Sequence, residues 1–179
     1  EGGQNKISNQ NLRIEYQNVY LTGIIKNGRG TAIRLESPLI IDKIALDSVI
    51  IDENDRFKIS ASIPKDYGYY VLRLMNSAND SIEMSLRGGD SLKLKTSMDD
   101  FNTKPNLSGV SWSKEANQFL EQKSKQNSDL AKDASKLMIQ NPISPFNIVL
   151  SKYFIGSEAD INESKISIFQ VVTEAFIDS

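Results

Sequence analysis

The feature that most constrains the fold of this chain is an alternation of apolar and polar residues between Leu12 and about Lys95. The alternation comes in short runs separated by residues typical of turns, which is the pattern of half-buried antiparallel strands. The clearest run covers residues 57–63, where every odd-numbered position is apolar, and Pro64 ends it. We therefore predict an antiparallel β-sandwich of seven or eight short strands.

Two glycine-containing turns, Asn27–Gly30 and Arg87–Asp90, each separate two alternating runs, and we predict a β-hairpin at each. In residues 44–51 the apolar residues lie first at even-numbered and then at odd-numbered positions. We expect that strand to bulge near Asp47 and Ser48, which would keep both sets buried. Residues 69–75 are apolar on both parities apart from one arginine, as expected for a central strand.

The period changes to that of helices after an irregular connection at residues 97–110. We predict that a first helix starts near Trp112 and is capped by Ser111 or Ser113. Residues 121–129 are polar, so this helix either continues into solvent or is interrupted before Leu130. A third would start at Ser144 and Pro145 and stop at Gly156.

A last helix would start near Asp160, where Glu163 completes a capping box, and would carry Phe169, Val172 and Phe176. The predicted organisation is a flexible start (1–11), a sandwich (12–96), a connection (97–110) and a helical region (111–179). Strands followed by helices define an α+β fold.

The chain contains no histidine and no cysteine. Thiolate nucleophiles, Ser-His-Asp triads and zinc sites built on cysteine or histidine are therefore excluded. Only carboxylate, lysine, tyrosine or serine chemistry remains, and we predict neither a catalytic residue nor a cofactor or metal site.

The charges are balanced, with 21 basic and 23 acidic side chains interspersed along the chain. We find no basic stripe that could neutralise phosphates, which argues against nucleic acid as a partner. No apolar run reaches the roughly 18 residues that a membrane-spanning helix needs. The polar start at Glu1, without methionine, is typical of a processed or engineered terminus.

The order of motifs resembles the uncharacterised N-terminal β-domain that precedes the thioredoxin-like domain in envelope thiol-disulfide oxidoreductases of the TlpA/ResA-like type. Four stretches between residues 12 and 120 carry the resemblance: Val19–Gly23, Leu46–Asp52 running into Arg56–Ile59, Leu86–Leu92, and Leu107–Ser111 leading to Asn117 and Phe119. The helices that follow resemble the connector of that family. Asp55 departs from the family, which usually has glycine there, and no cysteine pair is present.

The resemblance implies an exported, periplasmic or outer-membrane-associated protein with a lipid anchor before Glu1. The chain would be either a fragment that ends before the redox domain or a relative without one. Its function would be the non-catalytic positioning, dimerisation or partner binding of a thioredoxin-like oxidoreductase. The alternative is a free-standing envelope protein that binds glycan or peptide. We expect a homodimer through the helical tail or an envelope protein partner.

Several residues could carry a site, and each has a plainer explanation. Asp52–Asp55 offers oxygen ligands for calcium but lacks the spacing of a calcium loop, which favours a turn. Gly88, Gly89 and Asp90 suggest a phosphate cradle, although a hairpin turn explains them. Four aspartates could supply a carboxylate pair for general acid–base catalysis: Asp47, Asp52, Asp80 and Asp90. Roles at turns and strand ends are favoured for them.

We predict that a ligand, either sugar or peptide, contacts an aromatic platform formed by Tyr67, Tyr69, Tyr70 and Trp112. Core and edge packing is the competing use of these side chains. Three Asp-Ser-apolar tripeptides, which start at Asp47, Asp80 and Asp90, resemble a motif of bacterial envelope O-glycosylation. Strand ends favour the same polarity.

Overall fold

The computed structural model describes residues 14–38, 43–76 and 80–156. Eight strands come first in these ranges: β1 Tyr16–Lys26, β2 Ala32–Pro38, β3 Lys43–Ile50, β4 Arg56–Pro64, β5 Gly68–Leu74, β6 Ser81–Leu86, β7 Ser91–Ser97 and β8 Asn106–Ser108. Three helices follow: α1 Ser113–Lys123, α2 Leu130–Gln140 and α3 Asn147–Ile155. The predicted α+β fold, with its sheet-rich first part and helical second part, is confirmed.

The strands form two four-stranded sheets, in the orders β4-β1-β7-β8 and β3-β2-β5-β6. We call them the first and the second sheet. Their apolar faces meet in one core, where Leu21 and Ile59 of the first sheet and Leu35 and Leu72 of the second are fully buried. The burial of residues 57–63 alternates as predicted, with the odd positions inside. Strand β5 lies between β2 and β6, as expected for a central strand.

Both predicted hairpins are wrong. The turn at Asn27–Gly30 leads from β1 in the first sheet to β2 in the second, and the turn at Arg87–Asp90 leads from β6 back to β7. As a result, β1 pairs in parallel with β7 and antiparallel with β4, in a sandwich that is otherwise antiparallel. A turn sequence permits a tight reversal, but burial of the two apolar faces decides which strand becomes the neighbour.

The predicted bulge in β3 is confirmed in position. Leu35 pairs with Asp47 and Glu36 with Ala45, so Leu46 has no partner of its own on β2. The expected burial on both sides of the bulge is only partly met, because Ile44 is exposed and Leu46 and Val49 are half-buried. Strand β3 is the edge of its sheet, where cover is incomplete.

The connection predicted at residues 97–110 contains a strand that the sequence analysis missed. Strand β8 pairs antiparallel with β7, with Leu94 opposite Leu107. On its other side, the Asn117 amide of α1 accepts a hydrogen bond from the Leu107 N–H (2.8 Å) and donates one to the Leu107 carbonyl (2.9 Å). The Asn117 side chain thus takes the place of a neighbouring strand.

The helices follow the predicted pattern with corrected ends. The helix that starts after Trp112 breaks at Lys123, and Asp129 caps α2 by accepting a hydrogen bond from the Lys132 N–H (3.1 Å). The predicted serine cap of α1 is wrong, because its N-cap residue is Trp112, with no side-chain cap. Helix α3 starts two residues after Pro145 and ends at Gly156, as predicted for its stop.

Two predicted segments, the flexible start at 1–11 and the last helix with Phe169, Val172 and Phe176, lie outside the described residues. Within the described ranges, no helix combines the length and the apolar character that crossing a bilayer would require.

The outer face of the first sheet carries a basic patch, although no basic stripe is found along the sequence. Alternate residues of β1, β4 and β7 point away from the core, and five of them are exposed and basic: Lys26, Arg56, Lys58, Lys93 and Lys95. None of the four strands of this sheet contains an acidic residue. The patch is invisible in the linear sequence because strands far apart in the chain contribute to it.

Candidate functional site

The most highly connected polar site in the described part of the chain is built around Glu83 of β6. The neighbours of Glu83 in the strand, Ile82 and Met84, point into the core, so its own side chain points to the outer face of the second sheet. Helix α3 packs on β5 and β6 at this face. Glu83 is consequently only 8% exposed.

Three groups donate hydrogen bonds to the Glu83 carboxylate: the hydroxyl of Tyr69 on β5, and the hydroxyl of Tyr153 and the ammonium of Lys152 on α3. Lys123 of α1 lies 3.8 Å from the carboxylate and donates to the Tyr153 hydroxyl over 2.7 Å. Lys152 also donates to the Tyr69 hydroxyl over 3.1 Å. We call these five residues the Glu83 cluster.

The aromatic rings of the cluster add further contacts between the helices and the sheet. The Lys123 ammonium lies 5.0 Å from the centre of the Tyr153 ring, and that of Lys152 lies 5.5 Å from the Tyr69 ring. Phe119 of α1 meets the Tyr153 ring edge-on at 5.0 Å. Cation–π and edge contacts of this kind each contribute up to about 1 kcal/mol.

The protonation states in the cluster follow from burial and from its hydrogen bonds. Burial alone would raise the pKa of Glu83, but the hydrogen bonds from Lys152, Tyr153 and Tyr69 outweigh it and lower the pKa. Burial and the hydrogen bond to Glu83 raise the pKa of Tyr69 to about 12 and also raise that of Tyr153. Burial would lower the pKa of Lys152, but its bonds to Glu83 and Tyr69 raise it.

Near neutral pH the cluster therefore holds an ionised carboxylate, a charged Lys152 and two neutral tyrosines. The pKa values of these four groups are all moved away from neutrality, whereas a general acid or base works best with a pKa near the working pH. The geometry accordingly suits a fixed connection between helix α3 and the sheet better than proton transfer.

The structure separates the tyrosines that were predicted to form one aromatic platform. Tyr69 and Tyr70 follow each other in β5 and lie on opposite faces, so Tyr69 joins the Glu83 cluster while Tyr70 is buried in the core. The Arg87 guanidinium lies over the Tyr67 ring, with its Cζ atom 4.8 Å from the ring centre. Contact of these tyrosines with a ligand stays a prediction.

Trp112, the fourth predicted contact, is fully buried at the start of α1. Its ring stacks on Phe146 at 5.4 Å, and Phe146 meets Phe119 at 6.3 Å. These rings form the core between the helices, so Trp112 offers no exposed surface to a ligand.

One cleft is bordered by atoms of three tyrosines, at the end of the sandwich where β1 and β5 begin and β2 and β4 end. We call it the Tyr70 cleft. Its volume is about 430 Å³, and its lining includes Tyr16, Tyr69, Tyr70, Ser37 and Ser62. Burial, and to a smaller extent the neighbouring Tyr16, raise the pKa of Tyr70.

The acidic turn at residues 52–55 uses its carboxylates within the fold. Asp52 accepts hydrogen bonds from the N–H groups of Asn54 and Arg56, both at 2.8 Å. Asp55 accepts from three consecutive N–H groups of the turn at residues 27–29. Across residues 14–38, 43–76 and 80–156, no group of three or more acidic side chains is placed to hold a metal ion.

The other candidates lie at separate places in the fold. The Gly88 and Gly89 N–H groups donate to the carbonyls of Pro64 (2.7 Å) and Asn18 (3.0 Å), so they tie the turn to the first sheet and do not form a phosphate cradle. Asp47 accepts from the Ser60 N–H (3.0 Å) at the free edge of β4. Asp80 directly precedes β6, and Asp90 directly precedes β7.

Comparisons with known proteins leave the family of this chain open. No family model matches the chain, and no curated protein matches it significantly. Klebsiella pneumoniae 5-hydroxyisourate hydrolase aligns at 11% identity with a TM-score of 0.34, over 53% of this chain and 99% of that one. (S)-allantoin synthase aligns at 11% identity with a TM-score of 0.31, over 48% of this chain and 42% of that one. Likenesses this weak carry no information about function.

Sequence reasoning missed Glu83, Lys123, Lys152 and Tyr153. Glu83 alternates with apolar residues, as does any strand residue that faces solvent, so nothing in β6 signals burial. The signal in the sequence is the presence of Lys152 and Tyr153 in a helix whose other residues are largely apolar.

Proposed function

We propose that this chain is the non-catalytic N-terminal module of an exported, lipid-anchored protein of the thiol-disulfide oxidoreductase type. In this proposal the β-sandwich and its helices hold a thioredoxin-like domain, which follows in the longer protein, at a fixed position relative to a partner. The redox chemistry belongs to that following domain.

The observation that carries the proposal is the Glu83 cluster. It fastens α1 and α3 to the second sheet through Lys123, Lys152 and Tyr153, and Gly156 then ends α3 with a φ of 62°. A segment that continues beyond residue 156 would therefore leave from a defined point on a rigid block. Fixing this point is what a positioning module requires.

The stretches that resemble the family supply further support, because several of their residues meet demands of this backbone. A Cβ atom on Gly23 would come within 2.3 Å of the Leu94 carbonyl oxygen. Gly109 has a φ of +88°, and a Cβ there would lie 2.4 Å from the Ser91 carbonyl oxygen. Asn117 completes the edge of the sheet beside Leu107. This backbone therefore requires glycine at positions 23 and 109.

The first test is the gene sequence downstream of the codon for Ser179. We expect a thioredoxin-like domain with a Cys-x-x-Cys pair in the same reading frame. A stop codon directly after Ser179 would overturn the proposal.

The second test uses that longer protein and small-angle X-ray scattering. Glu83→Gln with Lys152→Met should broaden the distribution of distances between the two domains and leave the redox activity of the following domain unchanged. Lys132→Gln with Glu53→Gln, at exposed sites away from the cluster, is the matched control. Equal scattering from wild type and the cluster variant would show that the cluster does not position the domain.

The Tyr70 cleft favours a second function, that of an envelope protein that binds a glycan or a peptide. Its volume and its mixture of tyrosine and serine side chains suit a short segment of either ligand. Because Trp112 is buried elsewhere, binding should change tyrosine fluorescence and leave tryptophan fluorescence unaltered. Screening should give hits that Tyr16→Ala weakens and Tyr67→Ala does not. The absence of any hit would remove this function.

A further inference from the structure

The outer face of the first sheet has the chemistry of an anion-binding surface. Its five exposed basic residues, Lys26, Arg56, Lys58, Lys93 and Lys95, form what we call the basic face. None of the five takes part in an ion pair within the described ranges. The whole chain, by contrast, has a formal net charge of −2, so the two signs of charge are segregated on its surface.

Strand register fixes the arrangement of four of these charges. Thr22 of β1 pairs with Lys58 on one side and Lys93 on the other. Ile24 pairs in the same way with Arg56 and Lys95. Strands lie about 4.8 Å apart and alternate residues about 6.8 Å apart, so the four Cα atoms form a rectangle of roughly 10 by 7 Å.

Charges of one sign at this spacing repel each other and do not stabilise the fold. Two acidic residues close in sequence to Arg56, Asp52 and Asp55, lie in the turn before β4 and use their carboxylates to accept backbone hydrogen bonds. An anionic partner would relieve the repulsion that the chain itself leaves in place.

Apolar side chains share the face with the cations. Ile24 lies at the centre of one row of charges and is 40% exposed, and Tyr20, two positions before Thr22 on the same side of β1, is 41% exposed. Tyr16 continues this line at 59% exposure. A shallow hollow of about 330 Å³ runs over Gly23 between the two basic columns.

We propose that the basic face binds the surface of an anionic membrane, with its lysines at the lipid phosphates and with Ile24 and Tyr20 at the level of the headgroups. Because the five cations project from one face of one sheet, they can reach a planar surface together. Cations combined with exposed aromatic and aliphatic side chains are characteristic of interfacial membrane contact. This proposal does not depend on the presence of a redox domain.

The composition of the face favours lipid over a macromolecular partner. Four of the five cations are lysines, which are depleted in protein interfaces and provide a charge without directional hydrogen bonding. Single-stranded nucleic acid would need aromatic rings among the charges to stack its bases. Tyr16 and Tyr20 both lie outside the rectangle of charges, whose centre holds Thr22 and Ile24.

The test is co-sedimentation of the full chain with lipid vesicles. We expect binding to phosphatidylcholine vesicles that contain about 30 per cent phosphatidylglycerol and no binding to phosphatidylcholine alone. The triple variant Lys58→Gln, Lys93→Gln, Lys95→Gln should bind roughly 100-fold more weakly, since each lysine near an anionic leaflet contributes about a factor of five in affinity. Ile24→Ser should weaken binding without any change of charge.

The matched control is the triple variant Lys114→Gln, Lys132→Gln, Lys136→Gln, which removes the same charge from exposed positions on the helices. It should bind as the wild type does, and circular dichroism should show that all variants are folded. Equal losses in the two triple variants, or no binding to anionic vesicles, would overturn the proposal. Tighter binding to a single-stranded oligonucleotide than to vesicles would replace the membrane with nucleic acid.

Discussion

At the scale of single residues, Asp55 shows how one side chain can meet two demands of the backbone. Its φ is 61°, in the left-handed region where glycine is common and aspartate is tolerated. Its carboxylate accepts hydrogen bonds of 3.0 to 3.1 Å from the N–H groups of Asn27, Gly28 and Arg29. The turn that carries the chain from the first sheet to the second is thereby fixed to the start of β4.

Three substitutions of Asp55 should separate these two effects. Asp55→Asn keeps the tolerance of positive φ and part of the hydrogen bonding, Asp55→Gly keeps only the backbone freedom, and Asp55→Ala keeps neither. We expect alanine to lower the free energy of unfolding by about 2 to 3 kcal/mol, glycine by less and asparagine by least. Urea denaturation measures this order. If glycine destabilised the protein as much as alanine, the backbone conformation would be of no importance.

At the scale of elements, strand β8 depends on a side chain of α1 for one of its two edges. The Asn117 amide makes two hydrogen bonds with the Leu107 backbone, while Gln118, the next residue of the helix, is exposed. The three-residue strand is thus protected from pairing with another chain.

Replacing Asn117 should expose that edge. We expect Asn117→Ala to cost about 2 kcal/mol, because two neighbouring backbone groups lose their partner, and to accelerate hydrogen exchange at the Leu107 amide. Gln118→Ala on the same helix should change neither quantity. Unaltered exchange at Leu107 in Asn117→Ala would mean that β7 alone holds the strand.

The attachment of α3 to the second sheet should depend on pH through Glu83. Its pKa is lowered in the folded protein, so its ionisation contributes stability above the ordinary value of 4.5, and this stability is lost as the pH falls through the lowered pKa. We expect Glu83→Gln to cost about 2 kcal/mol at neutral pH, less than a fully buried pair would, because the Lys152 side chain is 58% exposed.

The same cost should shrink toward zero in acid. Chemical denaturation of wild type and Glu83→Gln across this pH range measures the difference, and Glu53→Gln in an exposed turn is the control. A difference that stays constant down to the lowest accessible pH would mean that the charge of Glu83 does not hold the helix.

At the scale of the whole molecule, the sequence beyond residue 156 predicts association between copies. Phe169, Val172 and Phe176 form one apolar side of the helix that the sequence predicts there. We expect the full chain to dimerise as its concentration rises in analytical ultracentrifugation. Val172→Asp with Phe176→Asp should weaken the dimer at least about tenfold, which corresponds to 1.4 kcal/mol. A strictly monomeric wild type would contradict this.

The Glu83 cluster and the basic face, on which the two proposals rest, lie on opposite sides of the sandwich. Helix α3 and the Glu83 cluster lie on the outer face of the second sheet, at β5 and β6, and the basic face is the outer side of the first sheet. If both proposals hold, the module would rest on the membrane with one sheet and carry its helical connector on the other.

The sequence by itself determined the elements other than β8, and the side on which most of the strands are buried. Residues 57–63 alternate because one face of β4 meets the core, and Gly156 ends helix α3 through its backbone geometry. These properties depend on neighbours within a few positions, which a linear pattern records. The bulge in β3 could be located for the same reason.

Only the tertiary structure decided which strands are neighbours and what covers their outer faces. Both glycine turns join different sheets, because burial of two apolar faces outweighs the local preference for a hairpin. Glu83 and the five cations of the basic face all alternate outward in the same way, yet helices bury Glu83 and leave the cations exposed. Period-two alternation records which side of a strand faces the core, and no short-range pattern records what packs against the other side.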